Sequence, residues 1–135
     1  MKTARYLNPN INPEIHTPVR ISLGVPKFRI GYEIAGSVEL LMPTPQMLSL
    51  DDEAVYRKLY FELLNHHGIR AIVEALQAVT KPGKETILLG FEDLRKPDTW
   101  CHRRMFADWI KRQTGRTIDE LEEREPNETQ QTLWR

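Results

Sequence analysis

A continuous apolar run in the second half of the chain is the feature that most constrains the fold. Residues 87–91 read Ile-Leu-Leu-Gly-Phe, with no charged or amide side chain among them. A run of this length is typical of a strand that is buried on both faces, as in parallel sheets covered by other layers. The run therefore predicts a central strand in an α/β domain.

The flanking segments predict the rest of this domain. Strands are predicted at residues 2–7 and 18–24, the second with one buried face because its apolar residues alternate with polar ones. Helical spacing and capping residues predict helices from Ser49 to Gly68, over 69–80, from Asp98 to about 114, and over a short stretch at 117–123. We therefore expect residues 1–123 to form a single layered α/β domain with a small, largely parallel sheet flanked by helices, and residues 124–135 to form a flexible tail.

Composition excludes several classes of protein. The 135 residues carry 19 Lys and Arg against 19 Asp and Glu, so the chain has no net positive charge. This balance argues against a protein that coats nucleic acid through its overall charge. The single cysteine, Cys101, rules out an intrachain disulfide and suits a reducing compartment. No apolar run approaches the roughly 18 residues that span a membrane, and the N-terminus has no apolar signal core. We expect a cytoplasmic protein that does not associate with membranes.

The segment Cys101-His102-Arg103 is the predicted site of chemistry. It follows the buried strand and opens the last long helix, and ligands of α/β sheets bind where strands end and helices begin. The positive end of a helix lowers a thiol pKa. Cys101 is then a nucleophile or a ligand, His102 an acid or base, Arg103 a phosphate clamp and Glu92 an orienting carboxylate. The alternative is that Cys101 is a small buried apolar residue and its neighbours decorate a helix surface.

Two motifs resemble those of a known family. The strand run followed by Trp100-Cys101-His102-Arg103, together with Ile21-Ser22-Leu23-Gly24-Val25-Pro26, is similar to the domain of unknown function 488 family. The resemblance covers roughly residues 1–122 and implies an α/β fold with a cleft between the motifs. It implies cleft positions at Ser22, Gly24, Glu92, Cys101, His102 and Arg103, and a link to nucleic acid in phage or bacterial accessory proteins. The chain departs from the family at Gly90, where the family commonly has a cysteine, so a two-cysteine site is not expected.

Basic residues follow both motifs. Arg20, Lys27 and Arg29 lie on or after the first motif. The second set lies near the second motif and comprises Arg95, Lys96, Arg103, Arg104, Lys111, Arg112 and Arg116. If the motifs meet, these residues form one basic face for a phosphate-bearing partner, and Arg20, Ser22, Gly24, Lys27 and Trp100 are the expected ligand-binding residues. The alternative is an ordinary solvated surface.

Two further features carry predictions about metals and partners. His66 and His67 could in principle build a zinc or iron site together with Cys101 and His102. Adjacent residues on one helix point in different directions, and histidines at the C-terminal end of a helix interact favourably with its dipole, so we expect no metal site there. In the tail, Gln130, Leu133 and Trp134 resemble the pentapeptide that docks replication proteins on the bacterial sliding clamp, with two apolar anchors and a polar rim contact. Alternatively, Leu133 and Trp134 pack on the protein's own core or on a second subunit.

Two functions remain open on this basis. One is an enzyme that processes a nucleotide or nucleic acid through the cleft around Cys101. The other is a non-catalytic phage or bacterial accessory protein, in which the same cleft only binds, or in which the tail recruits the protein to the sliding clamp. A third option is an accessory protein of this kind that acts through protein contacts only. The sequence specifies no cofactor and no oligomeric state.

Overall fold

The structure is a computed structural model, and it describes residues 1–123. Five strands and three α-helices make up the domain. The strands are β1 (Lys2–Arg5), β2 (His16–Arg20), β3 (Gly36–Ser37), β4 (Glu85–Gly90) and β5 (Asp119–Glu120), and the helices are α1 (Glu53–His67), α2 (Ile69–Val79) and α3 (His102–Thr114). Two short 3-10 turns, Glu39–Leu41 and Pro45–Ser49, precede α1. The expected single-domain α/β fold is confirmed.

Every strand pairing in the sheet is parallel. The strand order is β3-β2-β4-β1-β5, with β4 in the centre. Ile87, Leu88 and Leu89 are fully buried, which confirms the prediction of a central strand buried on both faces. Leu88 shares one apolar core with all three helices, whereas Ile87 and Leu89 pack on the opposite face with residues of β1 and the loops. The helices therefore lie against one face of the sheet.

Strand β2 is shorter and more buried than its sequence predicts. Residues 16–19 are all buried, because β2 lies between β3 and β4 and is covered on both faces. The prediction of a strand over 18–24 with one buried face is therefore wrong, both in its burial pattern and in the residue at which the strand ends. The chain leaves the sheet after Ile21, whose N–H still donates to the Leu89 carbonyl over 3.3 Å, and turns through Ser22 to Gly24.

Two helices begin later than predicted. Asp52, not Ser49, caps α1, since its carboxylate accepts hydrogen bonds from the N–H groups of Ala54 and Val55. Helix α3 begins at His102, with Cys101 as its N-cap residue, rather than near Asp98. Asp98 has a φ of 58°, which is left-handed backbone that an α-helix cannot contain. The residues before α3 are therefore a loop.

The predicted helix at 117–123 is wrong. Gly115, with a φ of 77°, ends α3, and the chain then pairs as β5 along the free edge of β1, with Thr3 opposite Glu120. The Leu121 N–H donates to the Thr3 carbonyl over 2.7 Å. Hydrogen-bonding groups at an open sheet edge favour such a strand over an isolated helical turn. The predicted tail at 124–135 lies outside the described residues.

Across residues 1–123, none of the helices has both the length and the apolar character that crossing a membrane requires.

Candidate functional site

A cleft of about 590 Å³ opens at the carboxyl ends of β2 and β4. The loop after β2 forms one side, the 3-10 turn before α1 forms another, and the loop between β4 and α3 closes the third. Its lining residues are Ser22, Leu23, Gly24, Pro43, Met47, Leu48, Leu50, Tyr56, Phe91, Glu92, Asp98, Thr99, Trp100 and His102. Both sequence motifs thus border the cleft, in the position that α/β sheets use for ligands.

Cys101 lies beneath this cleft and not in its lining. Its side chain is 2% exposed. Burial raises the pKa of the thiol to about 12, an effect that the Arg103 guanidinium opposes and the Glu92 carboxylate reinforces. The expected lowering of the thiol pKa is therefore wrong. The backbone N–H of Arg103 does favour the thiolate, but less strongly than burial disfavours it. Cys101 is a protonated, buried thiol.

His102 joins the two motifs. Its Nε2 lies 2.8 Å from the Ile21 carbonyl oxygen, which can only accept, so Nε2 carries the proton and Nδ1 keeps a lone pair. Nδ1 is 3.9 Å from Cys101 Sγ, and the ring packs edge-on against Tyr60. Burial lowers the pKa of His102, and the ring is held neutral. His102 thus fixes the loop after β2 to the start of α3 and presents one edge to the cleft.

Arg103 is fully buried and bound to Glu120. Its Nε donates to Oε1 of Glu120 over 3.0 Å and one terminal nitrogen donates to Oε2 over 2.7 Å, which is a bidentate pair. The same terminal nitrogen donates to the Glu92 carbonyl over 2.9 Å. Burial by itself would lower the pKa of Arg103, but hydrogen bonding and charge attraction from Glu120 and Cys101 together outweigh it and raise that pKa. The predicted role as a phosphate clamp is wrong, because no part of this guanidinium reaches solvent.

Gly90 explains how Cys101 is accommodated. A Cβ atom at position 90 would lie 2.9 Å from Cys101 Sγ and 3.2 Å from a terminal nitrogen of Arg103. Contacts of that length require the neighbours to move. The end of β4 therefore has no space for a side chain beside the thiol.

Aromatic and acidic side chains form the wall of the cleft that faces solvent. The rings of Trp100 and Tyr56 meet at a centroid distance of 4.9 Å with an interplanar angle of 61°. Glu92 and Asp98 are exposed and line the same space. Phe91 adds a third ring. This wall offers apolar ring surfaces together with hydrogen-bond acceptors.

The first motif shapes the loop after β2. The Ser22 hydroxyl donates to the Gly24 carbonyl over 2.7 Å, so the Tyr6 hydroxyl is the donor in the 2.6 Å contact with Ser22 Oγ. Arg20 donates to the carbonyls of Ser22 and Leu23. Ser22 and Gly24 line the cleft, as the sequence predicts, whereas Arg20 supports the loop from outside the lining. Lys27 is exposed and also lies outside the lining.

The predicted basic face does not form across the cleft. Among residues 1–123, no Lys or Arg lines this space. Arg104 donates to Thr3 Oγ1 and the Ile118 carbonyl, and Arg95 binds Asp93. Arg112 pairs with Asp108. Arg104 is thus held by contacts with residues distant in sequence, whereas Arg95 and Arg112 are paired with carboxylates two and four residues away in the chain.

Several residues of the site were not predicted. Glu120 is not among the predicted site residues, because residues 117–123 are predicted to form a helix, whereas the structure has strand β5 there. Tyr56 and Asp98 are predicted only as parts of helices, whereas both line the cleft. The sequence signal for Asp98 is that it lies between the central strand and the last long helix, where the loops of α/β sheets contribute to ligand sites. His66 and His67 end α1 with their rings 5.9 Å apart, and residues 1–123 contain no cluster of three or more His, Cys, Asp or Glu arranged to hold a metal. The tail residues Gln130, Leu133 and Trp134 lie beyond the part of the chain that the structure describes.

Neither the protein-family models nor the curated proteins nor the solved structures include a match to this chain.

Proposed function

We propose that this protein binds the base of a nucleotide or nucleic acid in the cleft, and that it acts as a binding protein and not as a thiol enzyme. The observation that carries the proposal is the composition of the cleft wall. The Trp100–Tyr56 pair and Phe91 supply ring surfaces, Glu92 and Asp98 supply acceptors, and the described lining contains no cation. This composition fits the base of a nucleotide better than its phosphate.

The chemistry of a base matches these groups. Every nucleobase has a flat π-face that stacks on aromatic side chains. Adenine, cytosine and guanine also carry an exocyclic amino group that donates hydrogen bonds, and carboxylates accept from such groups. A phosphate in the same space would instead face two carboxylates. The Arg103 guanidinium lies 3.9 Å from the Glu92 carboxylate, but it is buried and already paired with Glu120, so it is not exposed to a phosphate.

The state of Cys101 supports binding over catalysis. A nucleophilic cysteine needs a thiolate that a substrate can reach. Cys101 lies under the floor of the cleft, and burial raises its pKa to about 12. The resemblance to the domain of unknown function 488 family is compatible with this role, since residues from both of its motifs border the cleft.

Calorimetric titration with nucleosides tests the proposal. We expect adenosine, cytidine and guanosine to bind, uridine to bind more weakly, and inorganic pyrophosphate not to compete. Trp100→Leu should weaken binding about tenfold or more, because base stacking on one aromatic contributes about 1–3 kcal/mol. Leu59→Ala, at an exposed position on α1 outside the cleft lining, is the matched control and should bind like the wild type.

The proposal fails if no nucleoside binds, or if pyrophosphate displaces them all. It also fails if Trp100→Leu binds like the Leu59→Ala control. A Cys101→Ser variant that loses nucleoside turnover while keeping its affinity would restore the enzyme hypothesis.

A further inference from the structure

A second aromatic pair lies at the mouth of the cleft. Phe91 lines the cleft and is 40% exposed, and Phe28, 45% exposed, meets it edge-on with the ring centroids 6.2 Å apart. On its other side Phe91 packs against the buried ring of Tyr6 at 4.8 Å, which holds it in place. Two large aromatic side chains are thus exposed together, next to a space that is already bordered by Trp100.

Two cationic residues neighbour Phe28 in the sequence. Lys27 and Arg29 are adjacent to Phe28 in sequence and both are exposed. Within residues 1–123, neither forms an ion pair, in contrast to Arg95 and Arg103. We call Lys27, Phe28, Arg29 and Phe91 the rim. The rim therefore combines ring surfaces with free cations, whereas the cleft combines ring surfaces with carboxylates.

We propose that the ligand is single-stranded nucleic acid, with one base in the cleft, a neighbouring base on Phe28 and Phe91, and the connecting phosphates against Lys27 and Arg29. This inference rests on the proposed function. Interleaved cations and aromatic rings are how proteins bind single strands with little sequence preference. A duplex does not suit the rim, because its bases are paired and stacked and their faces are covered.

The charge distribution makes an oligonucleotide a better ligand than a mononucleotide. Among the described residues the lining holds Glu92 and Asp98 and no cation, so phosphate is favoured outside it. The rim supplies that outside position. A strand carries a base on each side of a phosphate, so it can contact the cleft, the rings of the rim and the rim cations at once. A mononucleotide has a single base and cannot contact both sets of rings.

Fluorescence anisotropy with labelled six-nucleotide DNA and RNA strands tests the inference, with the corresponding DNA duplex as the competitor. We expect the single strands to bind at least tenfold more tightly than a nucleoside. Phe28→Leu keeps an apolar side chain but removes the ring, and should weaken strand binding about fivefold or more, the lower end of a stacking contribution. The double variant Lys27→Gln, Arg29→Gln should lower the slope of log affinity against log salt by about 1.4, or roughly 0.7 per phosphate contact.

Lys111→Gln, Arg116→Gln is the matched control, because it removes the same charge from exposed positions at the far end of α3 and beyond. The inference is overturned if the rim variants bind strands like this control, if strands bind no more tightly than nucleosides, or if the duplex competes equally. Nucleoside binding distinguishes the two proposals. If nucleosides bind and the rim variants have no effect, only this inference fails. Strand binding that depends on the rim but not on Trp100 overturns the proposed base cleft, and with it the part of this inference that places a base there. Far-ultraviolet circular dichroism of each variant checks that it folds.

Discussion

The start of α3 and the cleft wall in front of it are neighbours in sequence but differ in chemistry. The start of α3 consists of Cys101, His102 and Arg103 with Glu120, and it is held by hydrogen bonds inside the domain, although Nη1 of Arg103 has no hydrogen-bond partner among the described residues. The cleft wall carries Trp100 and the exposed carboxylates of Glu92 and Asp98, which are open to a ligand. Residues that look most reactive in sequence are here the ones that hold the fold together.

Burial accounts for these different roles. An arginine on a surface is available for phosphate, but a buried one must be paired, and Glu120 takes that place. A cysteine at a helix N-terminus is activated when it is accessible, but Cys101 is not. The stability and the binding of this protein should therefore respond to different substitutions.

The largest effect is expected from Glu120→Gln. This change keeps the shape of the side chain but leaves Arg103 as a buried cation without its bidentate partner, so we expect a loss of about 3 kcal/mol in the free energy of unfolding. Urea denaturation measures it. Glu74→Gln, which breaks the exposed Arg70–Glu74 pair on α2, is the control and should cost about 0.5 kcal/mol or less. Equal losses in the two variants would show that the buried Arg103–Glu120 pair contributes no more to the free energy of unfolding than an exposed pair does.

Gly90→Ala should have the next largest effect. The added methyl group would lie 2.9 Å from Cys101 Sγ, so we expect a loss of about 2 kcal/mol in thermal or urea unfolding. Adding Cys101→Ala should recover part of this loss, because the sulfur is the nearest atom. Gly24→Ala is the control, since its new methyl group would meet only Phe91 at 4.0 Å. Strictly additive losses in the double variant would refute the proposed contact.

The smallest effect concerns the pH dependence of stability. The thiol pKa is about 12 in the folded protein and 9.0 for an ordinary cysteine. Below pH 9 the thiol keeps its proton in both the folded and the unfolded protein. Between pH 9 and pH 12 the unfolded protein loses this proton first, so the free energy of unfolding falls as the pH rises through that range. We expect the wild type to lose about 1 kcal/mol by pH 10 relative to Cys101→Ala. Parallel pH profiles for the two proteins would mean that the thiol titrates normally.

The sequence predicts the elements well where a single segment carries the signal. The apolar run of β4, the helix stop at Gly68 and the spacing of α2 each correspond to an observed feature. The errors fall where tertiary contacts decide. Strand β5 forms because β1 offers a free edge, and the loop before α3 replaces a helix because Asp98 adopts a left-handed backbone.

The amino-acid sequence alone is enough to predict the α/β class, the buried central strand and the strand–loop–helix junction at which the cleft opens. Which side chains of that junction face the ligand space depends on contacts that form only in the folded protein. The physical reason is that the pairing of Arg103 with Glu120 depends on a parallel strand from the far end of the described chain, and the burial of Cys101 depends on the missing side chain at Gly90. Both are contacts between different elements of the fold, and they turn Cys101 and Arg103 inward while leaving Trp100 and Asp98 at the opening.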